Sequence, residues 1–164
     1  MHKTRTAAAG VLLFAALTAC GTTAAHAPAS GPAAPLTARS AYQQMSRTMT
    51  SMGHSGTVTA TNDPNYLLGR PGQYTSKITF TDSLVPAGDV TGAGPGDVER
   101  GGAIEVFANP GDAKTRAAYI RGVTRAMPAI AEYDYVHGTV LVRVSRYLTP
   151  KHAAEYEAVV ARLS

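Results

Sequence analysis

The sequence predicts an α+β domain in which an antiparallel sheet of about five strands carries helices packed mainly on one face. Short segments in which apolar and polar residues alternate indicate half-buried strands. Two helix starts, at Asn109-Pro110 and Thr149-Pro150, place a capping residue before a proline at the first helical position. A glycine-rich stretch separates an αββ half from a βαββα half.

The first half is predicted to contain a helix over residues 36–52, then strands at 55–61 and 74–80. The apolar residues of this helix are three or four positions apart, which is the spacing of one helix face: Ala38, Tyr42, Met45, Met49 and Met52. The methionines could form a soft surface for an apolar ligand or partner, but core packing is the favoured interpretation.

The second half is predicted to open with a long loop and to end with a helix. Its elements are a loop at 86–102, a strand at 103–107, a helix from 110 to 127, hairpin strands at 133–137 and 139–145, and a helix that begins at Pro150. Because apolar residues occupy both faces of the last strand, this strand is predicted to be central in the sheet.

The chain is predicted to begin with a signal peptide at residues 1–19. A short basic head precedes an apolar run of about a dozen residues, too short to cross a hydrocarbon core of ~30 Å as a helix. The run ends in Leu17-Thr18-Ala19-Cys20, which resembles the lipobox of bacterial lipoproteins. That resemblance implies cleavage before Cys20 and a diacylglycerol joined to its sulfur.

Residues 20–35 are predicted to form the lipid anchor and a disordered linker. The segment after Cys20 has no Lys, Arg, Asp or Glu and contains three prolines, so it cannot bury a core. Two acyl chains on Cys20 would attach the chain stably to a membrane. We therefore expect an extracytoplasmic, lipid-anchored protein in which residues 36–164 form a single α+β domain.

Charge and cysteine content limit the possible partners and the sources of stability. Without Lys3 and Arg5, 13 basic residues remain against 11 acidic ones, and a net charge of +2 removes the main argument for nucleic-acid binding. Cys20 is the only cysteine, so once it carries lipid no disulfide can form within the chain. Stability must then come from packing.

Arg116 is predicted to lie near the apolar face of its helix, where a guanidinium needs an acid. Glu105 and Asp134, both in predicted strands, are the candidate partners for a structural ion pair. The sequence does not choose between these two acids.

The domain shows no catalytic, cofactor or metal motif. The segment at 53–56 matches the G-x-S-x-G elbow only in part, because the next residue is Thr57 rather than glycine. His54, His137 and His152 are not in zinc-ligand spacing. We therefore expect no metal, no cofactor and no enzymatic activity.

A candidate binding loop places Tyr66, Leu67 and Leu68 beside Arg70. Aromatic and apolar residues next to an arginine are common in binding surfaces. The simpler interpretation is that the two leucines close the end of the sheet while nearby glycines form the turn.

The domain also resembles small actinobacterial lipoproteins of uncharacterised function. The matching segments are Glu105-Val106-Phe107, residues 116–120, residues 132–135, the hairpin at 138–144 and Leu148-Thr149-Pro150. This resemblance implies no catalytic residues. The leading hypothesis is a non-enzymatic binding or accessory module for an unknown protein or a small apolar ligand. The alternatives are an extracytoplasmic hydrolase with an unrecognised site and a structural subunit of a membrane complex.

Overall fold

The computed structural model describes residues 35–164. The predicted signal peptide, Cys20 and the predicted linker up to residue 34 lie outside these described residues. The helices are α1 (Ala38–Ser46), α2 (Pro110–Ala126) and α3 (Pro150–Val160), and the strands are β1 (Met52–Thr57), β2 (Tyr74–Asp82), β3 (Gly101–Phe107), β4 (Glu132–His137) and β5 (Val140–Ser145). No helix among residues 35–164 is both long and apolar enough to span a bilayer.

The five strands form one antiparallel sheet in the order β1-β2-β3-β5-β4. This confirms the predicted α+β class and the predicted number of strands. β3 holds the middle position, and β5 is an interior strand between β3 and β4. Irregularities in register, between His54 and Gly56 and between Tyr74 and Ser76, mark the two bulged places in the sheet.

Two of the three helices, α1 and α3, pack on the first face of the sheet. This face is covered by the larger apolar cluster of the domain. Its members on the strands include Ile78, Phe80, Ile104, Val106, Val142 and Val144, and those on the helices include Ala41, Met45, Tyr156 and Val160. The period-two alternation of the strands directs these side chains to one face.

The remaining helix, α2, packs on the second face, against β3, β4 and β5. A smaller apolar cluster lies beneath it, made of Tyr74, Phe107, Ala113, Ala117, Ile120 and Leu141. The strand residues that alternate with the first-face core also include polar and charged ones, notably Lys77, Glu105 and Arg143. The second face is therefore partly charged.

Local capping explains where α2 and α3 begin. The side chain of Asn109 accepts a hydrogen bond from the Asp112 backbone N–H at 3.0 Å, and that of Thr149 accepts one from the His152 N–H at 3.2 Å. Both starts agree with the prediction. The predicted end of α2 at residue 127 was one residue too late, since the helix ends at Ala126 and the Met127 side chain is exposed.

The predicted helix over residues 36–52 was too long. α1 ends at Ser46, and the chain turns before β1 begins at Met52. Met49 and Met52 are nevertheless buried in the same cluster as Met45. A helix followed by a turn and a strand keeps these methionines on one core, so their spacing could not locate the end of the helix.

The predicted loop at 86–102 contains local structure. Two short 3-10 helices occur at Ala87–Val90 and Val98–Arg100, and β3 begins at Gly101. Val85 and Val90 belong to the larger apolar cluster. The long connection is therefore anchored to the core by two valines.

Candidate functional site

A buried carboxylate, Glu105, lies on the second face of the sheet, and its side chain has no exposed surface. Three cations from three elements meet it. Lys77 on β2 places Nζ 3.0 Å from Oε1, Arg143 on β5 places Nη1 3.3 Å from Oε1, and Arg116 on α2 places Nε 3.2 Å from Oε2. The structure thus brings Arg116 together with Glu105.

The three cations determine the charge of Glu105. Burial raises the pKa of this carboxyl group, but the charges of Lys77, Arg143 and Arg116 outweigh burial and hold the pKa below its usual value. Glu105 is therefore ionised at neutral pH and serves as the shared counter-charge of the cluster.

Arg116 pairs with Glu105 and not with Asp134, the other candidate, within residues 35–164. Asp134 lies opposite Arg143 in the β4–β5 register, but Arg143 directs Nε and Nη2 to the carboxylate of Glu132, at 2.7 and 2.9 Å. Neither buried carboxylate oxygen of Asp134 finds a hydrogen-bond partner among residues 35–164. Burial, and then the negative charge of Glu132, raise the pKa of Asp134 to about 8. Its surroundings thus favour the neutral form of Asp134.

A cavity of about 820 Å³ opens beside this charged cluster. It is enclosed by α2, by the loop at 64–73 and by the loop at 96–99. Its apolar lining consists of Pro64, Leu67, Val98, Tyr119, Ile120, Val123, Ile130 and Ala131. Its charged lining consists of Lys77, Asp97, Glu99, Arg116, Glu132, Arg143 and Arg146. The volume lies in the range of small-molecule sites, and the lining is amphipathic, with apolar and charged side chains in similar number.

Some of the large apolar side chains that remain exposed lie at this cavity. Tyr119 and Ile130 are 64% and 43% exposed, and both line it. Tyr66, which is 69% exposed, is the neighbour in sequence of the lining residue Leu67. The entrance thus presents apolar surface that the fold leaves uncovered.

Only part of the predicted binding loop faces the cavity. Leu67 lines it, while Leu67 and Leu68 are half-buried and pack against the smaller apolar cluster. Tyr66 is exposed with a positive φ of 53°, and Arg70 is exposed but is not part of the lining. The two leucines therefore close the end of the sheet, and Leu67 also contributes to the cavity wall.

Asp63 holds this loop in place, a role that the sequence did not reveal. Its buried carboxylate accepts hydrogen bonds from the backbone N–H groups of Leu67 and Leu68, at 2.8 and 2.9 Å, and from the Tyr74 hydroxyl at 2.7 Å. Burial acts to raise the pKa of Asp63, but these donors outweigh it and lower the pKa. The Asn62-Asp63-Pro64 sequence predicts a turn. No local pattern predicts that Asp63 accepts a hydrogen bond from Tyr74, which lies eleven residues later.

A second polar cluster joins α3 to the end of β2, beside an open cleft of about 460 Å³. The His152 Nε2 lies 3.0 Å from Asp82 Oδ2 and 3.3 Å from Ser51 Oγ. The His152 Nδ1 lies 2.7 Å from Glu155 Oε2, and the Tyr156 hydroxyl donates to Asp82 Oδ2 at 2.6 Å. These five residues were not grouped by any sequence motif.

Ser51, His152 and Glu155 have the connectivity of a nucleophile, a base and an orienting carboxylate. In such chemistry Nε2 must accept the serine proton. Here Nε2 contacts the buried carboxylate of Asp82, and the Ser51 hydroxyl donates to the same carboxylate at 3.0 Å. The geometry fits a hydrogen-bonded link between α3 and β2 better than an activated serine.

Two further observations limit how the site can be interpreted. In the part of the chain that the structure describes, no three His, Cys, Asp or Glu side chains are grouped to hold a metal ion. Comparison of the chain with protein-family models, with curated proteins and with solved structures finds no match. The fold and the cavity define an α+β domain with an amphipathic cavity on its second sheet face.

Proposed function

We propose that the chain is an extracytoplasmic lipoprotein, attached to a membrane through lipid on Cys20, whose domain binds a small, partly apolar ligand in the cavity beside α2. The protein is a binding module rather than an enzyme. Attachment to a membrane would raise the effective concentration of the domain near ligands that leave or enter the bilayer.

The observation that carries the binding proposal is the cavity of about 820 Å³, with exposed apolar residues at its edge. Side chains of the protein leave this cavity open, whereas they pack together in the apolar cluster on each sheet face. Tyr119 and Ile130 remain exposed there, although a domain gains stability by covering such side chains. A ligand that covers them explains their position.

The hydrolase alternative has a geometric candidate in Ser51, His152 and Glu155. Its base nitrogen is engaged by Asp82, so the observations favour binding over hydrolysis. No observation on residues 35–164 favours the structural-subunit alternative, which stays a prediction from the sequence.

The attachment is tested by replacing Cys20 with alanine in the full chain, produced in a bacterial host. We expect the variant to leave the membrane fraction and appear in the medium, or to keep its signal segment, because no thiol remains to carry lipid. Cell fractionation with intact-mass measurement distinguishes these products. A Thr22→Ala variant is the matched control, and a Cys20→Ala protein of mature mass still in the membrane would contradict the attachment.

The cavity is tested with a photoreactive diazirine analogue of decanol, added to the lipidated full chain in lipid nanodiscs. We expect labelling of peptides covering residues 64–73 and 115–131, and about tenfold less labelling in Val123→Trp, because the larger side chain would obstruct the apolar wall against which the probe lies. Ala118→Trp is the matched control, since Ala118 is exposed on the same helix and does not line the cavity. Equal labelling of the two variants, measured by mass spectrometry, would refute the cavity as the binding site.

A further inference from the structure

Arg116 uses only part of its hydrogen-bonding capacity. It donates from Nε to Glu105, and its terminal amino groups make no hydrogen bond with any other residue of 35–164. The side chain is 11% exposed and lines the cavity. Arg143, by contrast, directs all three of its nitrogens to Glu105 and Glu132. Arg116 therefore offers unused donors to whatever occupies the cavity.

The cluster around Arg116 also carries an excess positive charge. Lys77, Arg116 and Arg143 contact two carboxylates, those of Glu105 and Glu132. The nearby Asp134 makes no hydrogen bond to these cations among residues 35–164, and burial, then the charge of Glu132, raise its pKa and favour its neutral form. Within this cluster the cations outnumber the carboxylates that they contact by one.

The other charged lining groups do not cancel this excess. They are Arg146, Glu99 and Asp97. Arg146 and Glu99 are opposite in sign, while Asp97 is exposed, where solvent screens its charge, and it accepts a hydrogen bond from the Gly94 N–H.

We propose that the ligand of this cavity is an amphipathic anion, with a carboxylate or phosphate head on the free end of the Arg116 guanidinium and an apolar chain along Leu67, Ile120 and Val123. This inference rests on the proposed function and names the class of ligand. A guanidinium presents its N–H groups in a planar fork that matches both head groups. The charge of the head would balance the excess positive charge, and the chain would cover the apolar wall.

The experiment compares photoreactive diazirine analogues of decanoic acid, decyl phosphate and decanol on the full chain in nanodiscs. The readout is the concentration that half-saturates labelling of peptides covering residues 64–73 and 115–131, in the wild type and in Arg116→Met. Comparing two proteins in the same nanodiscs cancels the different partition of each probe into lipid. Lys114→Met is the matched control, because Lys114 is exposed on the same helix and lies outside the cavity lining.

We expect Arg116→Met to raise the half-saturating concentration of at least one anionic probe about tenfold, because a charge-assisted hydrogen bond is lost, and to change that of decanol less than about twofold. The two anionic probes distinguish a carboxylate from a phosphate head. Equal weakening of all three probes would overturn the anion inference while leaving cavity binding intact. Failure of every probe to label the wild-type cavity would instead refute the proposed function.

A second variant covers the case in which Arg116→Met does not fold. Arg116→Lys keeps a positive charge near Glu105 but lacks the guanidinium fork. It should weaken labelling by the anionic probes about threefold more than labelling by decanol. If Arg116→Lys weakens the anionic probes no more than decanol, the head-group assignment is wrong.

Discussion

Replacing Glu105 with glutamine is expected to lower the free energy of unfolding by about 3–5 kcal/mol. Glutamine has nearly the same shape as glutamate, so packing is retained while the negative charge is lost. Lys77, Arg143 and Arg116 would then lose their shared counter-charge, and Lys77 is only 5% exposed. Urea unfolding at pH 7 measures the effect, followed by near-UV circular dichroism of the tyrosines because the chain has no tryptophan.

The matched control is Asp89→Asn, which removes an acid at an exposed position. This control should change the free energy of unfolding by less than about 0.5 kcal/mol. Adding Lys77→Met to Glu105→Gln removes one of the cations that the loss of Glu105 leaves without a counter-charge. We expect the double variant to be less destabilised than the sum of the single variants by about 1–3 kcal/mol. A Glu105→Gln protein as stable as the control would show that the cluster contributes no stability.

Most of the secondary structure could be predicted because its signals are local. Asn109 and Thr149 act as helix caps within three residues of the groups that they satisfy. The strands show period-two alternation. This signal lies within each strand, so it does not depend on which strands are neighbours in the sheet. The end of α1 had no comparable signal, since Met49 and Met52 reach the same core after the helix has ended.

The site could be predicted only in part because it depends on which strands are neighbours. The position of Arg116 near the apolar face of its helix indicated an acidic partner, and Glu105 was one of the two candidates, with Asp134. Lys77 and Arg143 join Glu105 because β2 and β5 flank β3, and sequence alone does not give that order. The open cavity is also a property of how α2 and two loops approach each other, which residue patterns do not specify.

Replacing Asp82 with asparagine is expected to lower the free energy of unfolding by about 2–4 kcal/mol at pH 7. Asp82 is 3% exposed and accepts hydrogen bonds from the Tyr156 and Ser51 hydroxyls and from the Leu84 backbone N–H. An amide keeps one accepting oxygen and turns an NH₂ group toward one or more of these donors. Tyr156→Phe removes one of the donors, so it should cost only about 1–2 kcal/mol.

The dependence of this effect on pH gives a second, independent measurement. Burial acts to raise the pKa of Asp82, but the bonds from Tyr156, Leu84, His152 and Ser51 outweigh it and lower the pKa below its usual value near 3.8. A depressed pKa stabilises the fold above the pKa of the unfolded chain, and this contribution is lost as pH falls through the folded-state value. The wild type should therefore lose its advantage over Asp82→Asn as pH falls below about 4. Parallel losses of stability in the two proteins between pH 5 and the lowest accessible pH would rule out Asp82 as an ionised acceptor.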